Sequence, residues 1–249
     1  MNNSQSPFIP KGKANILIVD GRAKDIIKNL KTLNIQIIST IKCQNVYDEI
    51  SYHPDIVLHP LNHDTLIVAP DVYYYYKEVL KGTGIDVLQG EKRLEKQYPR
   101  NIAYNVARIS KYAIHNFKYT DEKLKFYLQK QGLTFINVKQ GYSKCSTAII
   151  NDEAAITSDV SIYKALKETN VDMLLIQQGF IDLPGLNYGF IGGATGLLSL
   201  KEILFTGQYK NHPDKLKINN FLKKHGLTPK FISNEKIIDL GSIIPLKYI

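Results

Sequence analysis

The stretch Leu30-Lys31-Thr32-Leu33-Asn34-Ile35-Gln36-Ile37 decides the fold, because its form returns four times further along the chain. The copies are Leu80…Gly84-Ile85-Asp86-Val87, Leu128…Gly132-Leu133-Thr134-Phe135, Leu166…Asn170-Val171-Asp172-Met173 and Leu222…Gly226-Leu227. Each runs from a leucine through three residues to Gly or Asn, with apolar positions behind. Gly and Asn accept the left-handed backbone that ends a helix. Alternating apolar residues after such a stop read as a strand entering a core. One helix-stop-strand joint used five times, at spacings of about 40–55 residues, points to an internally repeated architecture.

Ahead of each joint lies an apolar strand and a helix. The strands are NILIVD (15–20), TLIVAP (65–70), KYAIHN (111–116), AAITSD (154–159) and EILFTG (202–207). The helices fall over Asp25–Leu30, Val72–Leu80, Asp121–Leu128, Ser161–Leu166 and Asp214–Lys224, with Asp121 and Asp159 placed as N-terminal starts. A third strand closes each unit and leads into the next, through junctions such as DIVLHPLNHDTLIV and NIAYNVARISKYAI. Pro54 and Pro99 mark turns before such strands, and Asn151-Asp152-Glu153 suits a hairpin. The units span about 15–64, 65–110, 111–153, 154–201 and 202–249, after an N-terminal tail or strap over 1–14. No Ser/Gly-rich linker interrupts the series. Setting the five units around a common axis buries the apolar faces and gathers the junctions along one channel. The expected fold is a single α/β domain, a five-fold pseudosymmetric propeller of strand-helix-strand-strand units.

Bulk properties narrow the function classes. At 249 residues the chain can bury roughly 70% of its unfolded surface. No apolar run nears the ~18 residues of a membrane span, and MNNSQSPFIPKGKA lacks the apolar centre of a signal peptide. A cytoplasmic location without membrane contact is the expectation. The two cysteines, Cys43 and Cys145, are too few for a disulfide framework and lack metal-ligand spacing. The net charge of +9 suits an anionic ligand or nucleic acid. Its lysines, however, interleave with apolar residues at helical spacing in KNLK, KLKFYLQKQ and KLKINNFLKK, which describes solvated helix faces. The run Tyr73-Tyr74-Tyr75-Tyr76 reads the same way, as a half-buried helix rather than a base-stacking platform.

The repeat order, over about residues 15–249, resembles the pentein superfamily, the fold of guanidine-modifying enzymes and of a non-catalytic ribosome anti-association factor. The segments GYSKCSTAIINDEAAITSD (141–159) and GFIGGATG (189–196) together resemble an uncharacterised bacterial family of that fold. The resemblance implies a Cys nucleophile in the fifth junction, a His in the third and acidic residues gripping a guanidinium. This chain departs from that pattern at both positions. Its fifth junction is Asp239-Leu240-Gly241-Ser242-Ile243-Ile244-Pro245, without cysteine, and its third is Gly141-Tyr142-Ser143-Lys144-Cys145-Ser146, without histidine. Thiolate attack needs a thiol with a nearby base or proton donor, so standard guanidine hydrolysis or amidino transfer is not expected.

The junctions nevertheless carry candidate site residues. His59-Pro60-Leu61-Asn62-His63-Asp64 is the densest polar cluster. Its imidazoles suit proton transfer or a metal, and an exposed turn is the plain alternative. Lys144 beside Cys145 could lower the thiol pKa, while a buried structural cysteine reads equally from the same residues. Arg108 could clamp a carboxylate or phosphate, or bridge two units. Gly192 and Gly193 sit in a loop that brings backbone amides to a ligand or lets segments pack closely.

Three functions follow. In the first, the chain binds a small polar or anionic molecule in its channel, through Asn62, Asp64, Asn105, Arg108, Ser143, Lys144, Gly192, Gly193 and Ser242. In the second, Cys145 is a relocated nucleophile with His59 or His63 as acid-base partner, acting on a guanidino or amide-type substrate. In the third, the basic surface binds RNA or ribosomal particles without catalysis. No metal or cofactor is assigned, and the oligomeric state stays open.

Overall fold

Each joint does what its residues allow. In the computed structural model, which describes residues 6–248, Asn34, Gly84, Gly132 and Gly226 all adopt positive φ (56°, 73°, 74° and 70°) behind their helices. Asn170 follows its helix without entering that region. Residues 1–5 of the expected tail and residue 249 lie outside the described residues.

The first unit runs β1 (Ala14–Val19), α1 (Lys24–Lys31), β2 (Gln36–Ser39), a short α2 (Pro54–Val57) and β3 (Leu58–Pro60). The second runs β4 (Thr65–Val68), α3 (Tyr73–Val79), β5 (Asp86–Gln89) and β6 (Ala107–Ile109). The third has β7 (Tyr112–His115), α4 (Glu122–Lys130), β8 (Thr134–Asn137), a short α5 (Ser143–Ser146) and β9 (Thr147–Asn151). The fourth has β10 (Ala154–Thr157), α6 (Val160–Lys167), β11 (Asp172–Leu175) and β12 (Thr195–Leu197). The fifth closes with β13 (Glu202–Phe205), α7 (Lys215–Lys224), β14 (Thr228–Phe231) and β15 (Ile244–Tyr248).

These strands form five three-stranded sheets, each built around the opening strand of a unit. The opening strand pairs in parallel with the strand after its own helix. On its other side it pairs antiparallel with the strand that precedes it in the chain, as β9 does with β10 and β12 with β13. For β1 that partner is the last strand, β15, in the register Ile18↔Ile244, so the two ends of the chain meet in one sheet. The parallel pairs require a crossover, which the helices supply. Helix burial follows the apolar spacing: Ile26, Ile27 and Leu30 in α1, Leu124 and Leu128 in α4, Ile162 and Leu166 in α6. Asp121 Oδ1 accepts from Leu124 N at 2.8 Å and Asp159 Oδ1 from Ile162 N at 2.9 Å, capping α4 and α6. In the tyrosine run, Tyr76 is fully buried and Tyr74 is 78% exposed, as an amphipathic helix requires.

The entrances to the third strands form a closed circuit of hydrogen bonds. Asp55 N donates to Gly241 O (3.1 Å), Ser242 N to Gly193 O (2.8 Å) and Gly193 N to Cys145 O (2.8 Å). Lys144 N donates to Asn105 O (3.2 Å), and Asn105 Nδ2 donates to Asp55 O (3.0 Å). One residue or more from every unit thus meets at the centre. The N-terminal strap crosses this centre: Phe8 sets its ring edge-on to His59, centroids 5.5 Å apart, and Lys144 Nζ lies 5.1 Å from the Phe8 centroid.

Candidate functional site

Two single helical turns, α2 and α5, deliver the central side chains. Sequence reading places Ser143-Lys144-Cys145 in a strand, where neighbours face opposite ways; the structure corrects this to a helical turn. Asn105 holds that turn from beside it. Its Oδ1 accepts from Lys144 N (2.8 Å) and Cys145 N (3.2 Å), and its Nδ2 reaches Cys145 Sγ (3.3 Å).

The sulfur itself faces the carboxylate of Asp55. Cys145 Sγ lies 3.0 and 3.1 Å from the two carboxylate oxygens and donates its proton there. Ser242 Oγ donates to Asp55 Oδ2 (2.5 Å) and accepts from Lys144 Nζ (2.8 Å). Burial pushes the Asp55 carboxyl up, opposed by the Lys144 ammonium and the hydrogen bonds from Cys145 and Ser242. Burial likewise drives the Cys145 thiol well above its ordinary range, with Asp55 and Asp239 adding to the rise. The Lys144 ammonium is lowered by burial. At rest the sulfur is therefore a protonated thiol hydrogen-bonded to the Asp55 carboxyl group.

Two more groups complete the cluster. Donor atoms of His53, Cys145 and Asp239 all lie within 4.8 Å of one another. His53 Nδ1 is 3.9 Å from Asp239 Oδ1, and Nε2 is 4.0 Å from Asp20 Oδ2. Neither ring nitrogen has a hydrogen-bond partner among the described residues, although the residue is 1% exposed. Burial and the nearby Arg22 lower His53 to about 3, leaving the ring neutral. Asp239 accepts from Phe190 N (2.8 Å) and Gly241 N (2.9 Å), yet burial first and Asp55 second raise its carboxyl to about 7. Arg22 fixes Asp20 through Nε and Nη2, the closest contact being 2.7 Å.

A cleft of about 180 Å³ reaches this cluster from outside. His53, Cys145 and Asp239 are its buried polar lining, and Tyr47, Tyr142, Tyr188 and Phe190 are its aromatic walls. Tyr47 and Tyr142 join hydroxyl to hydroxyl at 3.0 Å.

The residues singled out from sequence divide sharply. Cys145, Asn105, Lys144, Gly192 and Ser242 meet at the centre. Gly192 O receives Lys144 Nζ at 3.4 Å, and a Cβ on Gly193 would collide with the Asp239 carboxylate, so the glycines serve close packing there. Ser143 turns away and donates to Gln140 O. The expected acid-base partners need correction. His59 is buried against Phe8, with Nε2 unpartnered among the described residues, and His63 Nε2 contacts Ile9 O at 3.0 Å; neither bonds the thiol. Strand β3 ends at Pro60, and the turn behind it carries His63 under the strap. Asn62 and Asp64 shape that turn, Asp64 N donating to Asn62 Oδ1. Arg108, a candidate clamp or bridge between units, is 1% exposed and donates to Leu61 O at 2.7 Å. Sequence reading passed over Asp55, His53, Asp239 and Asp20. The available signal was position, since His53-Pro54-Asp55 precedes β3 much as Ser143-Lys144-Cys145 precedes β9.

Comparison with known proteins agrees with this geometry at the level of fold. The chain belongs to a family of unknown function (DUF6873), whose pattern matches residues 18–244. No curated protein matches it in sequence. Among solved structures it is similar to an amidinotransferase of the saxitoxin biosynthetic pathway from Microseira wollei. That match has a TM-score of 0.56 and 11% identity, covering 92% of this chain and 90% of the other. An agmatine deiminase from C. jejuni gives 0.55 and 9%, covering 98% and 97%. A citrulline complex of DDAH from Pseudomonas aeruginosa gives 0.53 and 10%, covering 88% and 92%. The fold is that of the pentein superfamily. No helix among the described residues is long and apolar enough to cross a membrane.

Proposed function

We propose that this protein is a thiol enzyme acting on a small cationic substrate of the guanidine or amidine class, with Cys145 as nucleophile. The observation that carries the reading is the Sγ of Cys145, bonded to Asp55 and opening with His53 and Asp239 into an aromatic-walled cleft. Asp20, Asp55 and Asp239 favour a cation, and the faces of Tyr and Phe favour it further. This departs from the small polar or anionic ligand expected from sequence, since Asp239 lines the cleft and, among the described residues, no Lys or Arg does.

The groups present support a complete proton inventory. A planar cationic carbon above Sγ stabilises the developing thiolate, and Asp55 takes the thiol proton as the S–C bond forms. The C=N electron pair moves onto nitrogen. The Asp239 carboxyl, raised to about 7 by burial, passes a proton to the departing amine as its C–N bond breaks, His53 lying beside it. A thioether-linked amidine remains on Cys145. Water attacks it, giving its proton to the His53–Asp239 pair, and the departing sulfur recovers its proton from Asp55. An amine in place of water would make the same site a transferase. Asn105 positions the sulfur, and Lys144 with Ser242 positions Asp55.

The test is release of ammonia or amine from a panel of small alkylguanidines and amidines. Turnover by the native protein and its loss in Cys145→Ser, with the fold retained, support the reading. No turnover of any member, or undiminished turnover in Cys145→Ser, overturns it.

A further inference from the structure

We propose that His53, Cys145 and Asp239 also form a binding site for a thiophilic divalent cation of the zinc class. The proposal uses the same side chains as the reading above but does not depend on its reaction. Among the described residues no other trio of His, Cys and acidic side chains converges in this way. Zinc takes sulfur at about 2.3 Å, imidazole nitrogen at about 2.0–2.1 Å and carboxylate oxygen at about 2.0–2.2 Å. A tetrahedral site therefore needs donors roughly 3.3–3.7 Å apart. The present separations are 3.9 Å for His53 Nδ1 to Asp239 Oδ1 and at most 4.8 Å overall, within about 1.5 Å of that geometry.

The independent observation is His53 itself. It is buried and without a hydrogen-bond partner at either ring nitrogen among the described residues. An unpaired buried imidazole is costly to keep, and a metal at Nδ1 resolves the cost. Nε2–H then points to Asp20 Oδ2, now 4.0 Å away and itself held by Arg22. A carboxylate behind a ligating histidine fixes the ring and its tautomer. The third ligand is the thiolate. As the metal–sulfur bond forms, the S–H bond gives up its proton to Asp55 and no electrons change hands. The cleft beside the three side chains leaves room for a water as fourth ligand. The cation and an electrophile thus compete for the same sulfur.

The experiment uses the whole chain, stripped with a chelator and titrated with Zn²⁺ against a chromophoric competitor, and with Co²⁺ as a spectroscopic stand-in. One ion per chain is expected, with a thiolate-to-cobalt charge-transfer band. Asp20→Asn should weaken binding by about 10–100-fold. Cys145→Ser and His53→Ala should each weaken it beyond the roughly 100-fold end of that range, and Cys145→Ser should lose the band. Should a variant fail to fold, the native protein decides alone. Zn²⁺ should then slow alkylation of Cys145 by about tenfold or more, read on the peptide by mass. No stoichiometric uptake, no sulfur–cobalt band, or an alkylation rate indifferent to Zn²⁺ overturns the site. A band without any amidine turnover would sink the enzymatic reading and leave the metal site standing; turnover without a band would do the reverse.

Discussion

Asn105 is the residue on which the centre turns, and truncating it to alanine should cost more than any surface change. The side chain is fully buried and makes four contacts: Lys144 N, Cys145 N, Asp55 O and Cys145 Sγ. In Asn105→Ala, Lys144 N keeps the backbone oxygen of residue 105 as a partner, at 3.2 Å in the native chain. Cys145 N–H and the Asp55 carbonyl lose theirs. Each orphaned buried group costs about 1–3 kcal/mol, so the substitution should destabilise by about 2–6 kcal/mol. That is a large share of the roughly 5–15 kcal/mol that holds a domain folded. Asn105→Asp should do no better, since it turns an anionic oxygen toward the Asp55 carbonyl and the sulfur. The assay is guanidinium unfolding, with the midpoint shifted and the slope unchanged. Asn62→Ala, in an exposed turn, is the comparison and should cost less than about 1 kcal/mol. Equal stability of Asn105→Ala and the native protein would refute the claim that the first three junctions are locked together through this amide.

Other expectations follow from neighbouring groups. Asp239 is raised to about 7 by burial, against about 3.9 in the unfolded chain. The native state therefore holds a proton that the unfolded state releases. Its contribution is complete below the unfolded value and is lost as pH rises through about 7, a change on the order of 4 kcal/mol. Unfolding measured at pH 5 and pH 8 spans the upper part of this window and should show about 2–3 kcal/mol of the loss, and Asp239→Asn should flatten it; a native stability that rises across that interval relative to the variant would contradict the assignment. Gly193→Ala drives a methyl into the Asp239 carboxylate, so expression of soluble, cooperatively melting protein at native stability would be evidence against the close approach. Phe8, within the strap and 4% exposed, should cost about 3–5 kcal/mol on truncation to alanine, measured by the same denaturant midpoint; a shift below about 1 kcal/mol would mean that the strap does not close the centre.

How much of this was legible in the chain depends on the range of the interaction. The five joints, the apolar strands and the capped helices are local patterns, and Asn34, Gly84, Gly132 and Gly226 took the conformations their chemistry suggests. The site is not local. Asp55 and Ser242 are 187 residues apart, and Asp55 and Cys145 are 90 apart. No spacing rule joins them; only closure of the ring does. Cys145 and Asn105 were identified because they stand in conspicuous junctions. His53-Pro54-Asp55 stood in an equivalent place but looked like a plain turn, since proline there also starts a helical turn. His59 and His63 drew attention by density, yet the strap over residues 6–10 covers them, and a tail without periodicity gives no notice of where it will dock.

The central claim is a nucleophilic thiol set among carboxylates that select a cation. Its most direct test is the rate of covalent modification at Cys145 by a cationic haloacetamidine against a neutral haloacetamide with the same leaving group. Field focusing in a cleft of one sign raises the rate for the matching charge by about tenfold or more, so the cationic reagent should modify Cys145 at least that much faster. Salt should narrow the difference. Equal rates for the two reagents, or labelling at Cys43 in preference to Cys145, would contradict the account.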